Sequence, residues 1–345
     1  MIPHKKLLQS SGKRQNMDIN GLIEKIHHIV DNHRLAEGQY ARYLWQDEKK
    51  SRKMGVNEYG CADAANILYT IGVFPGDPDE RARWTETLQG MQDPQSGLYY
   101  EGTHHTIHTT AHCTAALELF DARPRYPLTG MKKYLDREGL YELLEGLDWG
   151  NSPWNNAHQG AGVYAALTIT GEADAAWRKD YFAWLTRHND PETGLGITGH
   201  PGGAPLCHQL FGWFHYFFNY ENDRMPIPNV ERVIDSCIRM YQEGGLPEKF
   251  GETAGFMEID WVYTMNRASR LTAYRFEEVK KLLWDFAQDY LPKMEALDRD
   301  KDESLNDLHA LFGMTCALAE LQAALPGKIR TEIPLKLVLD RRPFI

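Results

Sequence analysis

Gln92-Asp93-Pro94-Gln95-Ser96-Gly97-Leu98-Tyr99-Tyr100 is a turn, and it decides the fold through the two segments it introduces. A polar cluster comes next, Thr103-His104-His105-Thr106-Ile107-His108-Thr109-Thr110. After it runs a stretch of small apolar residues, Ala111-His112-Cys113-Thr114-Ala115-Ala116-Leu117-Glu118-Leu119-Phe120, at helical length. The order of turn, polar cluster and apolar helix then recurs along the chain. His188-Asn189-Asp190-Pro191-Glu192-Thr193-Gly194-Leu195 nearly restates the turn. Trp149 to Asn156, Gly244 to Met257 and Asp298 to His309 are looser copies, and Trp45 to Tyr59 is the first.

Six apolar helices are expected, ending near Gly72, Asp121, Gly171, Tyr220, Thr272 and Leu325, a period of roughly fifty residues. Between them lie half-polar helices such as Trp177 to Arg187 and Phe276 to Tyr290. A helix that is apolar all round must be buried, and one with a single apolar stripe covers it from outside. Six such pairs predict an all-α fold, an (α/α)6 toroid. No sustained period-two alternation argues for strands. The expected organisation is a tail over 1–17, a single toroid domain over 18–330 and a C-terminal tail over 331–345, with one helix held within 18–45, its stripe being Ile19, Leu22, Ile23, Ile26 and Val30.

The turn-plus-aromatic pattern of Gln92 to Tyr99 resembles, in degenerate form, the repeat of prenyltransferases and of squalene and terpene cyclases. The same α/α-toroid architecture is shared by many glycoside hydrolases and polysaccharide lyases, so the resemblance covers residues 45 to 325 as a likeness of fold. The cyclases' Asp-x-Asp-Asp run is absent, and so is the Asp-x-Cys pattern of zinc-dependent prenyltransferases, since Trp261 and Val262 follow Asp260.

Composition narrows the partners. A net charge of −10 argues against nucleic acid, which needs a basic face. No apolar run reaches spanning length, so no membrane partner is expected. The five cysteines lie far apart without a CxxC pair, which reads as reduced thiols in a cytoplasmic protein. Nine Trp and seventeen Tyr suit a thick core or a cleft that stacks on sugar rings.

In a toroid the inner helices run parallel, so the polar clusters before them gather at one mouth. Asp63, Asp260 and Asp307 stand within or at the start of apolar helices, where a carboxylate is costly unless paired or solvated. Asp63 and Asp260 are the expected carboxylate pair for glycoside hydrolysis, with Asp307 as substitute. His108 and His112 are the catalytic candidates for an elimination, with Tyr59 and Asn156 beside them. Substrate is expected to meet Tyr59, Trp149, Trp154, Asn156, His158, His208 and His309. Trp149 and Trp154 would form a stacking platform in a Gly- and Pro-flanked loop.

Asn156, Thr110 and Asn306 also have the simpler reading of helix caps. The i,i+4 spacing of His104, His108 and His112 invites a metal, but a hydrogen-bonded histidine is the commoner case, and no metal or cofactor is expected. The expected function is a carbohydrate-active enzyme, a hydrolase or a lyase acting on a small molecule or oligosaccharide. The alternatives are an isoprenoid cyclase or prenyltransferase and a non-catalytic helical-repeat binding protein.

Overall fold

The two turns that nearly repeat in sequence are one structure built twice. The computed structural model describes residues 16–200 and 202–345, and in it Gly97 and Gly194 share φ = +71°. That conformation costs glycine least. Asp93 and Asp190 start each turn, their side chains accepting from Ser96 N at 2.7 Å and Glu192 N at 2.9 Å. Gln92 donates to Gly97 O at 2.7 Å and Asn189 to Gly194 O at 3.0 Å. A long amide side chain thus stitches each turn closed from the preceding helix. A Cβ on Gly97 would collide with the Pro127 carbonyl.

Helices take most of the chain. They are α1 (Asn20–Asn32), α2 (Glu58–Thr70), α3 (Pro78–Gly90), α4 (Thr106–Leu119), α5 (Arg137–Gly146), the single turn α6 (Pro153–Asn156) and α7 (His158–Thr170). Then come α8 (Ala175–His188), α9 (Leu206–Asn222), α10 (Val230–Gln242), α11 (Met257–Ser269), α12 (Phe276–Ala296), α13 (Leu308–Ala324) and the short α14 (Val338–Arg341).

Helices α2, α4, α7, α9, α11 and α13 each pack on the next, and α13 returns to α2. This closed ring is almost wholly buried; in α7 every residue from His158 to Leu167 is. Helices α1, α3, α5, α8, α10 and α12 alternate with the ring along the chain. They bury one stripe each, as Val233, Ile234, Cys237 and Ile238 show for α10. The fold is the expected all-α toroid of six helix pairs.

Residues 18–45 hold the expected single helix, α1, and then a hairpin. The chain leaves α1 at His33 and makes a tight hairpin, β2 (Arg34–Ala36) against β3 (Gln39–Tyr40). It then runs across the mouth to close the ring. Leu44 N and Trp45 N both donate to Asn306 Oδ1, at 2.8 and 3.1 Å, and Leu308 N donates to Arg42 O at 3.0 Å. Asn306, a candidate cap, therefore clasps the first repeat to the sixth.

The expected 1–17 tail lies mostly outside the described residues, but β1 (Met17–Asp18) pairs in parallel with β4 (Ile329–Arg330). Residues 331–345 are not a tail. Lys336 N donates to Thr70 O at 2.8 Å, Asn219 Nδ2 to Pro343 O at 3.1 Å, and the buried Arg342 Nε to Asn66 Oδ1 at 2.8 Å. Phe344 and Ile345 are carried into the barrel axis, where Phe344 meets the rings of His108 and His215 at centroid distances of 4.8 and 5.8 Å. They floor it.

Candidate active site

Above that floor a cavity of about 180 Å³ opens toward the mouth. It is lined by His104, His108, Trp154, Asn155, His158, His215, Phe256, Asp260, His309 and Ile345. Most of these residues precede or begin inner helices, so parallel packing of the ring delivers them to one basin.

Each histidine is held by one ring nitrogen. Helix α4 carries His108 and His112 one turn apart, while His104 sits just before it. Tyr59 of α2 lies among them, stacked on His104 at 4.6 Å and on His112 at 5.0 Å between centroids. Its hydroxyl is 2.6 Å from His108 Nδ1. His158 Nδ1 lies 2.7 Å from Trp154 O, and His215 Nδ1 lies 3.1 Å from Phe211 O. His104 Nδ1 is 2.8 Å from Thr103 Oγ1. Burial pushes His104, His108 and His215 well below the ordinary imidazole range, and takes His158 down to about 4. All four rings are neutral at pH 7.

Two carboxyls near the cavity are driven in opposite directions. Asp63 is completely buried in α2 and does not line the cavity. His112 Nε2 is 2.7 Å from its Oδ1, and His309 Nδ1 is 3.1 Å from both oxygens. Burial alone would raise this carboxyl, but the two imidazoles outweigh it and hold Asp63 below the usual carboxylate range. Burial also lowers His112 to about 4 despite Asp63, so a neutral ring donates its N–H to an anion. Because His309 uses Nδ1 on Asp63 and lines the cavity, its Nε2 is the atom left on the cavity side.

Asp260 of α11 is the reverse case. Burial, helped by the charge of Glu258, pushes its carboxyl well above the usual range. Neither of its oxygens has a hydrogen-bond partner among the described residues. A buried, unpaired carboxyl facing a cavity is an unexplained cost unless it is protonated and awaits a ligand. Glu258, two residues earlier, accepts from Gly251 N at 2.6 Å and is pushed by burial up to about 7.

Of the residues expected to be catalytic or to bind substrate, the cavity gathers Asp260, His108, His158, His309 and Trp154. Asp63, His112 and Tyr59 form the layer behind its wall. Four others are corrected. Asp307 is spent on structure, since its two oxygens accept from Arg42 Nε and Nη2 at 2.8 and 3.0 Å and it caps α13 at His309 N. Trp149 is no platform: it is 1% exposed, its Nε1 donates to Leu144 O at 2.7 Å, and it packs in the aromatic core beside Trp213. Asn156 turns away and accepts from Asp148 N at 2.7 Å. His208 stands against Trp154, centroids 5.6 Å apart, but outside the cavity lining.

Sequence reasoning missed His215, Phe256 and Ile345. The His215 signal was its spacing of seven from His208, two turns along one face of α9.

The donors close enough to share one metal ion, within 4.8 Å of one another, are Asp63, His112 and His309. They fit a hydrogen-bonded triad better than a metal centre. The 2.7 Å contact is a normal N–H···O distance, and the buried Arg342 is near enough to feel the Asp63 charge. The five cysteines are free and buried.

No known protein family matches the chain, and no curated protein does. A solved structure matched along 87% of this chain and 100% of its own is an inactive variant of an α-1,6-mannanase from Salegentibacter sp. HEL1_6 in complex with α-1,6-mannotetrose. The TM-score is 0.44 and the identity 13%.

Proposed function

We propose that the chain is a carbohydrate-active enzyme that cleaves a glycosidic bond in the mouth cavity. Asp260 is its general acid, and His309, oriented by Asp63, is its general base. The observation that carries this reading is the opposed protonation of two buried carboxyls serving one cavity, the pattern by which acid and base roles are recognised. The pair differs from two carboxylates facing across a sugar, because Asp63 has no access to the cavity and acts through His309 as a positioning residue.

In the hydrolytic form of the reaction, His309 Nε2 takes a proton from water as the water oxygen bonds to the anomeric carbon. Asp260 gives its proton to the glycosidic oxygen as the carbon–oxygen bond breaks. The proton on His309 then leaves to solvent and Asp260 is reprotonated, which balances the cycle. Trp154 and Phe256 offer ring faces for a pyranose, and Asn155 offers an amide.

The isoprenoid alternative is less well served. It asks for an oily cavity and a cationic grip on diphosphate, whereas this lining is mainly imidazole and has no Lys or Arg among the described residues. The non-catalytic alternative asks for rim groups paired with outer helices, and here they converge on one space. Five buried, unpaired thiols support a reducing, cytoplasmic setting.

The test is a hydrolysis screen of neutral and acidic oligosaccharides by reducing-end release, repeated with Asp260→Asn. Turnover by the wild type and its loss in the variant is the expected result. Turnover that survives Asp260→Asn removes the assigned acid.

A further inference from the structure

Four of the five imidazoles lining the cavity hold a proton of fixed position, and that selects the ligand. A backbone carbonyl can only accept, so the nitrogens facing Trp154 O and Phe211 O must carry the protons of His158 and His215. Asp63 is anionic and can only accept, so His309 Nδ1 carries its proton too. His104 follows by exclusion. Thr103 has one hydroxyl proton, and its short 2.5 Å contact to Glu101 Oε2 uses it. Thr103 Oγ1 therefore accepts from His104 Nδ1 as it does from Arg42 Nη1 at 2.7 Å. In the neutral rings of His104, His158 and His215 the second nitrogen is then a bare lone pair. His158 Nε2 is buried and has no partner among the described residues.

We infer that the cavity is built for an uncharged polyhydroxyl unit, one neutral sugar ring whose hydroxyls donate to His104, His158 and His215, and that it rejects uronates. This rests on the carbohydrate reading above and adds the substrate class. A carboxylate or phosphate in the cavity would face three lone pairs with no Lys or Arg in the lining among the described residues. Arg42, whose guanidinium lies over the Tyr59 ring, is already committed to Asp307 and Glu101. Size agrees: about 180 Å³ is below the ~300–1,000 Å³ typical of sites for drug-sized ligands, so a single ring is what fits.

The same lone pairs would also suit a transition-metal cation. Donor positions favour the sugar, since among the described residues no three of the cavity imidazoles bring ring nitrogens within 4.8 Å of one another. The one such donor group among the described residues, Asp63 with His112 and His309, reaches the cavity only through His309. The selection also decides between the two bond-breaking chemistries. Elimination needs a proton made acidic by a neighbouring carboxylate, which a neutral ring lacks, so hydrolysis is the reaction.

The experiment is titration calorimetry of the whole chain at pH 7.5. The ligands are methyl hexopyranosides of the gluco, galacto and manno series, then their uronate counterparts, then Zn²⁺. At least one neutral glycoside is expected to bind, with its uronate at least ~10-fold weaker. A uronate binding as well as or better than the neutral sugar overturns the inference while leaving the carbohydrate reading intact. Stoichiometric Zn²⁺ uptake without sugar binding overturns it in favour of a metal. If no glycoside of either kind binds or is cleaved, the carbohydrate reading falls and takes the inference with it.

Discussion

A proton's position separates the roles of two aspartates, and substitution at each tests it. Asp260→Asn removes a transferable proton and should lower kcat by about 10²–10⁴-fold. Asp63→Asn keeps the shape but replaces an anion that accepts from two N–H groups. The amide's own NH2 must then face His112 or His309. We expect a kcat loss of similar size with KM changed little, together with a lower melting temperature, since a buried mismatch costs about 1–3 kcal/mol. Unchanged kcat in Asp63→Asn would detach His309 from the chemistry. Trp149→Phe gives the opposite signature. It orphans the Leu144 carbonyl and should lower the unfolding free energy by about 1–3 kcal/mol, while sugar affinity stays at the wild-type value. Sequence could not sort these cases. Gly and Pro around Trp149 look like a loop, but nothing in the chain says that its indole turns inward to a carbonyl. His215 hid for a related reason: inside the run from Phe211 to Phe218 it looked like core.

Elements were more legible than residues because helix period and turn chemistry are local. Asp-Pro with a later glycine marked both stitched turns, while Asn57, which caps α2 by accepting from Tyr59 N and Gly60 N at 2.8 and 3.2 Å, was not read as a cap. Gly97→Ala tests the turn. It combines an unfavourable φ with a collision at Pro127 O and should lower stability by more than about 1 kcal/mol in urea unfolding. A smaller change would mean that the loop gives way. The α1 stripe, Ile19 to Val30, was legible, whereas the hairpin that begins past His33 was not, because no stop or turn signal marks it there.

Helix α11 carries a titration test of its own. Glu258 is raised to about 7, so between the unfolded value of 4.5 and 7 the folded chain holds the extra proton, and stability falls as pH rises through that window. Glu258→Gln should recover about 1–3 kcal/mol at pH 8 and almost nothing at pH 4. Equal effects at both values would show that the carboxyl is not protonated in the fold.

At the scale of the molecule, histidines and acids pull stability in opposite directions. His112 and His158 fall from 6.5 to about 4, and His104, His108 and His215 are lowered too. The unfolded chain takes up their protons first, so this stability is present above pH 6.5 and is lost as pH falls toward the folded values. Each lowered ring gives up about 1 kcal/mol between pH 6.5 and 5.5. Glu258 and Asp260 oppose this, but the histidines outnumber them, so a net loss of about 2 kcal/mol is expected in denaturant titrations at the two pH values. A flat profile would mean that the rings are already charged in the fold. The ring itself was readable from six repeats, since parallel inner helices leave their leading residues one place to go. The closing residues were not, because Arg342 to Ile345 belong to no repeat, and only their insertion into the axis gives them a role. Phe344 and Ile345 make the barrel a cup instead of a tunnel. If the proposed glycosidic cleavage takes place there, guest and departing fragment share a single doorway, a polymer is not reeled through, and each cut is a separate visit.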